Sequence, residues 1–293
     1  MVKIMSQGLS IVIVSYKNRK VLTDCLDSVF AMNDIGDALQ VIVVEQSPED
    51  DIYHFLLSHY PLVDTIRAEN KGFGAGNNRG VEIAKHDYLL FLNPDTILTE
   101  PIASFAIHKF QNNPKLGLFG VQLLNGDGTK GSSFQCIVPY GLQAKIMHKY
   151  ASTTGRFFAN SMYIEGADMF VRKDLFLATG GFDESVFMYC EEPNLCLGIQ
   201  KLGYTVGYDG SKKIIHLQGA CSPDKYGMTF ERQLTAFKKL CDKHGMSFDK
   251  ILETECRYQK MKRYLLGFLK RKDHASYKVA DEKIRIIEKQ SIL

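Results

Sequence analysis

Over the first third of the chain, short apolar runs rich in β-branched residues alternate with amphipathic stretches. The first run, Leu9–Tyr16 (LSIVIVSY), is apolar on both faces, as expected for a strand buried inside a parallel sheet. We predict further strands at Gln40–Gln46, Asp64–Ala68 and Asp87–Asn93, and helices at Asn18–Met32, Ile52–Ser58 and Gly74–Lys85. This order predicts an α/β fold with a mainly parallel central sheet, flanking helices and ligands bound at the carboxyl ends of the strands.

The pattern loosens after Asp95. The segment Ser132–Asn160 has no clear period, and we expect it to form loops near a cleft. The predicted strands of this half are Leu116–Leu124, Met162–Arg172, Thr205–Asp209 and Lys213–Leu217, and the predicted helices are Pro101–Gln111, Lys173–Thr179 and Glu191–Leu202. From about Phe230 onward the sequence is helical and charged.

Composition restricts the class of protein. A net charge of +3 on 293 residues is too small to indicate a nucleic-acid partner. No apolar run reaches the roughly 18 residues of a spanning helix, and Met1–Gln7 is too short and polar for a signal peptide. The seven cysteines form no C-x-x-C pair, which favours free thiols in a reducing compartment. We therefore expect a cytoplasmic protein.

Asn93 and Asp95 follow a strongly apolar predicted strand, in the segment FLNPDT (91–96). A carboxylate and an amide oxygen two residues apart can reach a hard divalent cation, which shares oxygen ligands with substrate phosphates. Asn, Pro and Asp are also common in turns, and the residues alone favour a turn that ends the strand.

Glu191 and Glu192 precede Pro193, a residue suited to the first turn of a helix. Negative charge at a helix N-terminus explains one of the two glutamates without any further role. The other interpretation is a carboxylate that takes a proton from a substrate hydroxyl. His216 follows a second apolar run, and most such histidines only satisfy local hydrogen bonds.

The segment Asn70–Gly80 (NKGFGAGNNRG) is rich in glycine but does not fit G-x-G-x-x-G. Its glycines allow the backbone to approach a ligand closely, and its asparagines offer amide groups near a helix start. The first strand is followed by Lys17-Asn18-Arg19 in place of a glycine fingerprint. A Rossmann oxidoreductase is therefore excluded.

Taken in order, four segments resemble the family 2 glycosyltransferases of the rhamnosyltransferase-like kind, which have the GT-A fold. They are IVIVSYKN (11–18), ENKGFGAGNN (69–78), LLFLNPDTIL (89–98) and the segment 166–204, in which GGFDE is followed by FMY and a paired acid. The resemblance implies a nucleotide-sugar-binding GT-A domain over residues 1–225, followed by a helical C-terminal extension over residues 226–293.

The resemblance also implies roles for particular residues. Asp95 matches the family's variant of the Asp-x-Asp motif, which holds Mn²⁺ or Mg²⁺ against the donor diphosphate, and His216 aligns with a histidine that completes the metal site in some relatives. Glu192 matches the general base, with Glu191 as its neighbour. The residues assigned to the donor are Ser15, Tyr16, Glu45, Lys71, Gly72, Asn77 and Asn93, and those assigned to the acceptor side are Asp183 and Glu184.

The activity implied by the resemblance is that of an inverting, metal-dependent glycosyltransferase in surface polysaccharide synthesis. Its donor is dTDP-rhamnose or a UDP-hexose, and its acceptor is a saccharide or a lipid-linked saccharide. A nucleoside diphosphate leaves as an already charged group and needs no acid to protonate it, so a single general base is sufficient for the transfer. Glu45 and Glu192 stand where aspartate is usual, each adding about 1.5 Å of reach, and Asn194 replaces a common acid. These departures leave open a non-catalytic nucleotide-sugar-binding relative with a degenerate site.

The C-terminal segment Arg257–Lys272 (RYQKMKRYLLGFLKRK) contains seven Lys or Arg residues and no acidic residue. Its large apolar residues share one helical face: Met261, Tyr264, Leu265, Phe268 and Leu269. Two interpretations remain open. The helix lies on the inner face of the plasma membrane as a peripheral contact, or its apolar stripe packs on the catalytic domain or on a second copy in a homodimer.

Overall fold

The computed structural model describes residues 8–217, 226–269, 271 and 274–290. The chain divides into two compact units. The first comprises residues 1–135, 162–187 and 191–222, and the second comprises residues 136–161, 188–190 and 223–293. The second unit thus includes two internal segments that the predicted boundary at residue 225 assigned to the first domain. Met1–Gln7, which we judged unlike a signal peptide, lies outside the described residues.

Ten strands are found within the described part of the chain: β1 Leu9–Ser15, β2 Leu39–Glu45, β3 Val63–Arg67, β4 Tyr88–Leu92, β5 Thr96–Leu98, β6 Leu116–Leu124, β7 Phe134–Cys136, β8 Met162–Ile164, β9 Asp168–Arg172 and β10 Thr205–His216. Eight of them form one sheet in the order β3-β2-β1-β4-β9-β6-β10-β5, and β7 pairs with β8 in a small second sheet. The pairings among β1, β2, β3 and β4 are all parallel, whereas β9 is antiparallel to both of its neighbours. The predicted α/β fold with a large central sheet is confirmed.

The described helices are α1 Arg19–Ala31, α2 Asp51–His59, α3 Phe73–Ile83, α4 Ala103–Asn112, α5 Gly141–Thr154, α6 Lys173–Ala178, α7 Glu191–Lys201, α8 Tyr226–His244, α9 Phe248–Phe268 and α10 Ala275–Gln290. In the first unit, the apolar faces of α1 and α4 pack on the sheet in a core that includes Leu26, Phe110 and Ile13, all fully buried. Removing this apolar surface from water is the main stabilising contribution to such a layered fold.

Two predicted features of the central segments were wrong. Ser132–Asn160 is not all loop, because it contains the 14-residue helix α5. The period was missed because the buried residues of this helix are Gly141, Ala144 and Ala151, which are too small to mark an apolar stripe in the sequence. Met162–Arg172 is not one strand, because the chain leaves β8 at Ile164 and enters a different sheet at Asp168.

Two further differences concern the end of the first unit. The strands predicted at Thr205–Asp209 and Lys213–Leu217 are one strand, β10, whose pairing with β6 changes register between Asp209 and Lys213. The short strand β5 was not predicted, since three residues after a turn give no periodic signal.

No helix within the described ranges is long and apolar enough to cross a bilayer. Six of the seven cysteines lie within those ranges, and all six are free thiols. Cys221 lies outside them.

Candidate active site

The carboxyl ends of β1 and β2 place two predicted donor residues side by side. Ser15 and Glu45 are register partners in the parallel ladder, and each is at most 1% exposed. One oxygen of Glu45 accepts a hydrogen bond from the Ser47 backbone N–H at 2.7 Å. The other oxygen, like the Ser15 hydroxyl, is buried without a hydrogen-bond partner among the described residues. Buried polar atoms normally have partners, so this pair is suited to binding a ligand.

A pocket of about 430 Å³ opens beside this pair, at the ends of β2 and β3. It is lined by Gln46, Ser47, Pro48, Arg67, Ala68, Glu69 and Asn70. The guanidinium of Arg67 donates to the Pro48 carbonyl at 3.0 Å and pairs with Asp50. Sequence reasoning missed Arg67 and Ser47. Their position directly at the ends of predicted strands was the available signal.

The end of β4 brings Asp95 against His216. The His216 Nε2 atom lies 3.2 Å from Asp95 Oδ1 and 3.5 Å from Asn93 Nδ2. Strand β5 produces this contact, because Thr96 is the antiparallel register partner of His216. The Leu217 N–H also donates to the Asp95 carbonyl at 2.9 Å. The sheet therefore fixes the histidine beside the carboxylate.

The Asp95–His216 pair fits part of a divalent-cation site. Two neighbouring ligands of an octahedral ion with bonds of 2.0–2.1 Å are about 3 Å apart, which is close to the observed separation. The His216 Nδ1 atom is buried and has no hydrogen-bond partner among the described residues. No group of three or more His, Cys, Asp or Glu residues suited to a metal occurs in those ranges. The pair thus suits an ion that takes its other ligands from phosphate and water.

Glu191 and Glu192 open helix α7, and both have raised pKa values. Burial is the main cause for Glu191, which is 2% exposed, and the neighbouring charge of Glu192 adds to the shift. Burial also raises the pKa of Glu192, to about 7, and the Glu165 carboxylate raises it further, while backbone hydrogen bonds including that of Gly166 oppose the shift. A carboxyl group with a pKa near neutrality can exchange a proton with substrate.

The segment Gly166–Ala167 connects the two acidic parts of the site. A Cβ atom on Gly166 would lie 2.7 Å from a carboxylate oxygen of Glu192, so the missing side chain leaves room for this carboxyl group. The carbonyl of the next residue, Ala167, accepts a hydrogen bond from the Asn93 N–H at 3.1 Å. Asn93 and Glu192 therefore contact consecutive residues of one backbone segment. The candidate metal ligands and the candidate proton acceptor therefore lie in the same region of the first unit.

In the glycine-rich segment, Gly72 combines a positive φ with a close backbone contact. Gly72 has φ +105°, and a Cβ there would lie 2.0 Å from the Phe187 carbonyl oxygen. Asn77 is buried, and its side-chain amide donates to the Phe73 carbonyl at 3.0 Å, which stabilises the first turns of α3. Lys71 is mostly exposed and pairs with Glu69. The structure does not bring Asn77 or Lys71 into contact with Asp95, and their donor roles stay predictions.

The predicted acceptor-side loop is attached to α3 through Asn78. The Asn78 amide donates to the Phe182 carbonyl and to Glu184, both at 2.9 Å, and its oxygen accepts from the Phe182 N–H at 2.9 Å. Asp183 lies near enough to Glu191 to contribute to its raised pKa. Tyr16, predicted beside the nucleotide, is 42% exposed just beyond β1.

The sequence profile described as Glycosyl transferase family 2 matches residues 10–173, more than half of the chain. The protein belongs to this family. The match includes β1, the glycine-rich segment and Asp95, and it stops before Glu192 and His216.

Individual relatives agree with this assignment. The rhamnosyltransferase WbbL of Escherichia coli K12 is 25% identical over 82% of this chain and 97% of its own length. A poly-β-1,6-N-acetyl-D-glucosamine synthase of Staphylococcus epidermidis is 27% identical over 38% of this chain and 27% of its own length. A mannosyltransferase from Pyrobaculum calidifontis, solved with GDP-mannose and Mn²⁺, has a TM-score of 0.61 at 12% identity and covers 97% of this chain and 86% of its own. The predicted GT-A fold class is confirmed.

Proposed function

We propose that this protein is an inverting glycosyltransferase that moves a sugar from a nucleotide-diphosphate donor to a hydroxyl group of a saccharide. The observation that carries the proposal is the 3.2 Å contact between Asp95 and His216 in the same region as the raised-pKa carboxyl of Glu192. Family membership supports the reaction class, and the GDP-mannose and Mn²⁺ bound in the mannosyltransferase structure support the donor type and the metal.

On the donor side, Ser15 and Glu45 hold the nucleoside through their unpartnered buried oxygens, and the pocket at Arg67 receives part of it. Asp95 and His216 hold a divalent ion, Mn²⁺ or Mg²⁺. A bound ion of this kind neutralises the charge that develops on the leaving diphosphate. Asn93 orients the Asp95–His216 pair through its contact with the imidazole.

On the acceptor side, Glu192 takes the proton from the attacking hydroxyl. The sugar–phosphate bond breaks as the new glycosidic bond forms on the opposite face, so the anomeric configuration inverts. The pKa values of both glutamates are raised, mainly by burial, so the two adjacent carboxyl groups do not both carry a full negative charge near neutral pH. Asp183 and Glu184, in the loop attached to α3, contact the acceptor in this proposal, which is supported by the electrostatic effect of Asp183 on Glu191.

The rhamnosyltransferase WbbL, similar over most of both chains, favours dTDP-rhamnose as the donor, with a UDP-hexose as the alternative. We extend the proposal to an acceptor that is a saccharide or lipid-linked saccharide of a surface polysaccharide. The chain has no tryptophan, so it lacks the Gln-x-x-Arg-Trp motif of processive synthases, and we expect the addition of one or few sugars.

A thermal-shift screen of nucleotide sugars with and without Mn²⁺ tests donor binding, because a ligand that prefers the folded state raises Tm. We expect dTDP-rhamnose or a UDP-hexose to raise Tm more with Mn²⁺ than without it. The stabilising donor is then incubated with saccharide acceptors, and inversion is read from the anomeric signal of the product by NMR. Retention at that centre contradicts the mechanism. Donor binding without any transfer identifies a non-catalytic relative.

A further inference from the structure

The two units of the chain carry opposite net charge. The segments of the second unit contain 20 Lys and Arg residues and 10 Asp and Glu residues, whereas the rest of the chain contains 16 and 23. The overall charge of +3 therefore conceals a second unit of about +10 and a first unit of about −7. A basic unit of this kind attracts anionic surfaces.

Helix α9 of the second unit presents a large apolar face to solvent. The exposed fractions are 77% for Phe268, 74% for Tyr264, 58% for Leu269, 51% for Leu265 and 43% for Met261. These five residues form the α9 apolar face. Contiguous exposed apolar residues on a folded protein mark an interaction surface, whereas isolated ones need no explanation.

The opposite side of α9 is already used within the second unit. Leu252, Glu255 and Gln259 are buried on that side, and Arg263 pairs with Asp281 of α10 at 2.7 Å. The α9 apolar face is therefore not needed for packing against α10.

Basic side chains flank the α9 apolar face. At 100° per residue, Lys262 lies on one side of it and Lys260 on the other. Lys260 pairs with Glu288 at 2.8 Å, and Arg257, near the start of the face, pairs with Glu253. Arg271 is exposed just beyond the helix. The sequence has no acidic residue from Arg257 to Lys272. Apolar residues in the centre with Lys and Arg at the edges are typical of helices that lie in a membrane interface.

A second helix of the same unit repeats this arrangement. In α5, Leu142, Ile146 and Tyr150 are spaced by four residues and are 46%, 60% and 48% exposed. Along the sequence, Lys145 lies between the first two of these residues and Lys149 between the last two. The sequence has no acidic residue from 128 to 164. Helix α5 is joined to α9 by the Gly141 N–H, which donates to Glu255 at 2.7 Å.

We propose that the α9 apolar face, together with the exposed residues of α5, docks the second unit on the surface of an anionic lipid bilayer. Charge complementarity favours this occupant over a second copy of the chain, because two copies meeting through this face would bring two basic units together. The contact lies in the interface of the bilayer and needs no spanning helix. It is independent of the proposed sugar transfer.

The test uses the whole chain with two kinds of vesicle, phosphatidylcholine alone and phosphatidylcholine with about 30 mol% phosphatidylglycerol. This fraction is on the order of the anionic lipid content of a cell membrane. Because the chain has no tryptophan, Phe268→Trp introduces a single fluorescent reporter. Its emission should shift to the blue with anionic vesicles and be quenched by brominated lipid. The matched control is Leu62→Trp, at a residue of the first unit that is 80% exposed, and its emission should not change.

Flotation of unlabelled protein then measures affinity. Tyr264→Ser/Phe268→Ser should weaken binding at least about tenfold, whereas Leu62→Ser/Leu177→Ser, also at exposed positions, should not. Lys262→Gln/Arg271→Gln should weaken it roughly fivefold per residue. The proposal is overturned if the wild type does not float with anionic vesicles or if the apolar variant floats equally well. It is also overturned if sedimentation shows a dimer that Tyr264→Ser/Phe268→Ser dissociates without loss of flotation.

Discussion

The imidazole of His216 lies 3.2 Å from the carboxylate of Asp95, at the point where β4 has ended and β10 is ending. The contact depends on the three-residue strand β5, which turns back from Asp95 and pairs with β10. The Thr96 hydroxyl stabilises this turn by donating to the Asn93 carbonyl at 2.7 Å. A short strand without a periodic signal therefore assembles the proposed metal site.

Replacing His216 by alanine removes one of the two proposed protein ligands. We expect the affinity for Mn²⁺ in the presence of a nucleoside diphosphate to fall at least about tenfold, as loss of metal-site residues commonly does. Isothermal titration calorimetry measures it. The control His108→Ala changes an exposed histidine of α4 and should have no effect. Equal Mn²⁺ affinity in both variants would remove His216 from the site.

Replacing Glu192 by glutamine keeps the shape of the side chain but removes the proton acceptor. We expect kcat to fall about 10²- to 10⁴-fold, the usual contribution of a general base, with little change in donor affinity. Glu82→Gln, at an exposed glutamate of α3, is the matched control. If transfer by Glu192→Gln proceeds at the wild-type rate, the base is another residue.

The raised pKa of Glu192 predicts a specific pH dependence. A general base acts in its charged form, and burial raises the pKa of this carboxyl to about 7. At saturating metal, kcat/KM should therefore rise about tenfold per pH unit below this value and level off above it. In Glu165→Gln the inflection should move to lower pH, because the charge that opposes ionisation of Glu192 is gone. An inflection in the ordinary glutamate range of about 4 would contradict the assignment.

Gly72→Ala should destabilise the first unit strongly. The backbone conformation at φ +105° and ψ 175° is almost restricted to glycine, and the new Cβ would clash with the Phe187 carbonyl. We expect a loss of about 3 kcal/mol in the free energy of unfolding. Gly36→Ala, at φ +56° with open space around it, should lose only about 1 kcal/mol. Urea unfolding followed by circular dichroism compares the two, and equal losses would contradict the clash.

The sequence predicts the first four strands and three helices to within about two residues, because short apolar runs alternate there with amphipathic stretches. It misses α5, whose buried residues are only glycine and alanine, and it divides β10 at an irregularity that only the pairing with β6 explains. Both failures involve elements whose positions are set by tertiary contacts.

For the site, the strand pattern alone predicts that Asn93 and Asp95 lie at the carboxyl end of a strand, where ligands bind, whereas Ser15 and Glu45 were assigned from the family resemblance. The roles of Glu192 and His216 came from family resemblance, since a paired acid at a helix start and a histidine after a strand have ordinary structural explanations. His216 lies near Asp95 because β5 pairs with β10, and Glu192 lies near Asn93 because both contact the segment at Gly166. Glu192 and His216 are far from these elements along the chain. No local pattern contains that information.

Electron paramagnetic resonance of Mn²⁺, titrated with the chain in the presence of a nucleoside diphosphate, tests the proposed metal site most directly. For the wild type and for Glu192→Gln, we expect the signal of free Mn²⁺ to decrease as the ternary complex forms. For Asp95→Asn, the free signal should persist over the same range, while Asp24→Asn, at an exposed carboxylate of α1, behaves as the wild type. Binding of Mn²⁺ by Asp95→Asn with wild-type affinity would contradict the metal site and the mechanism built on it.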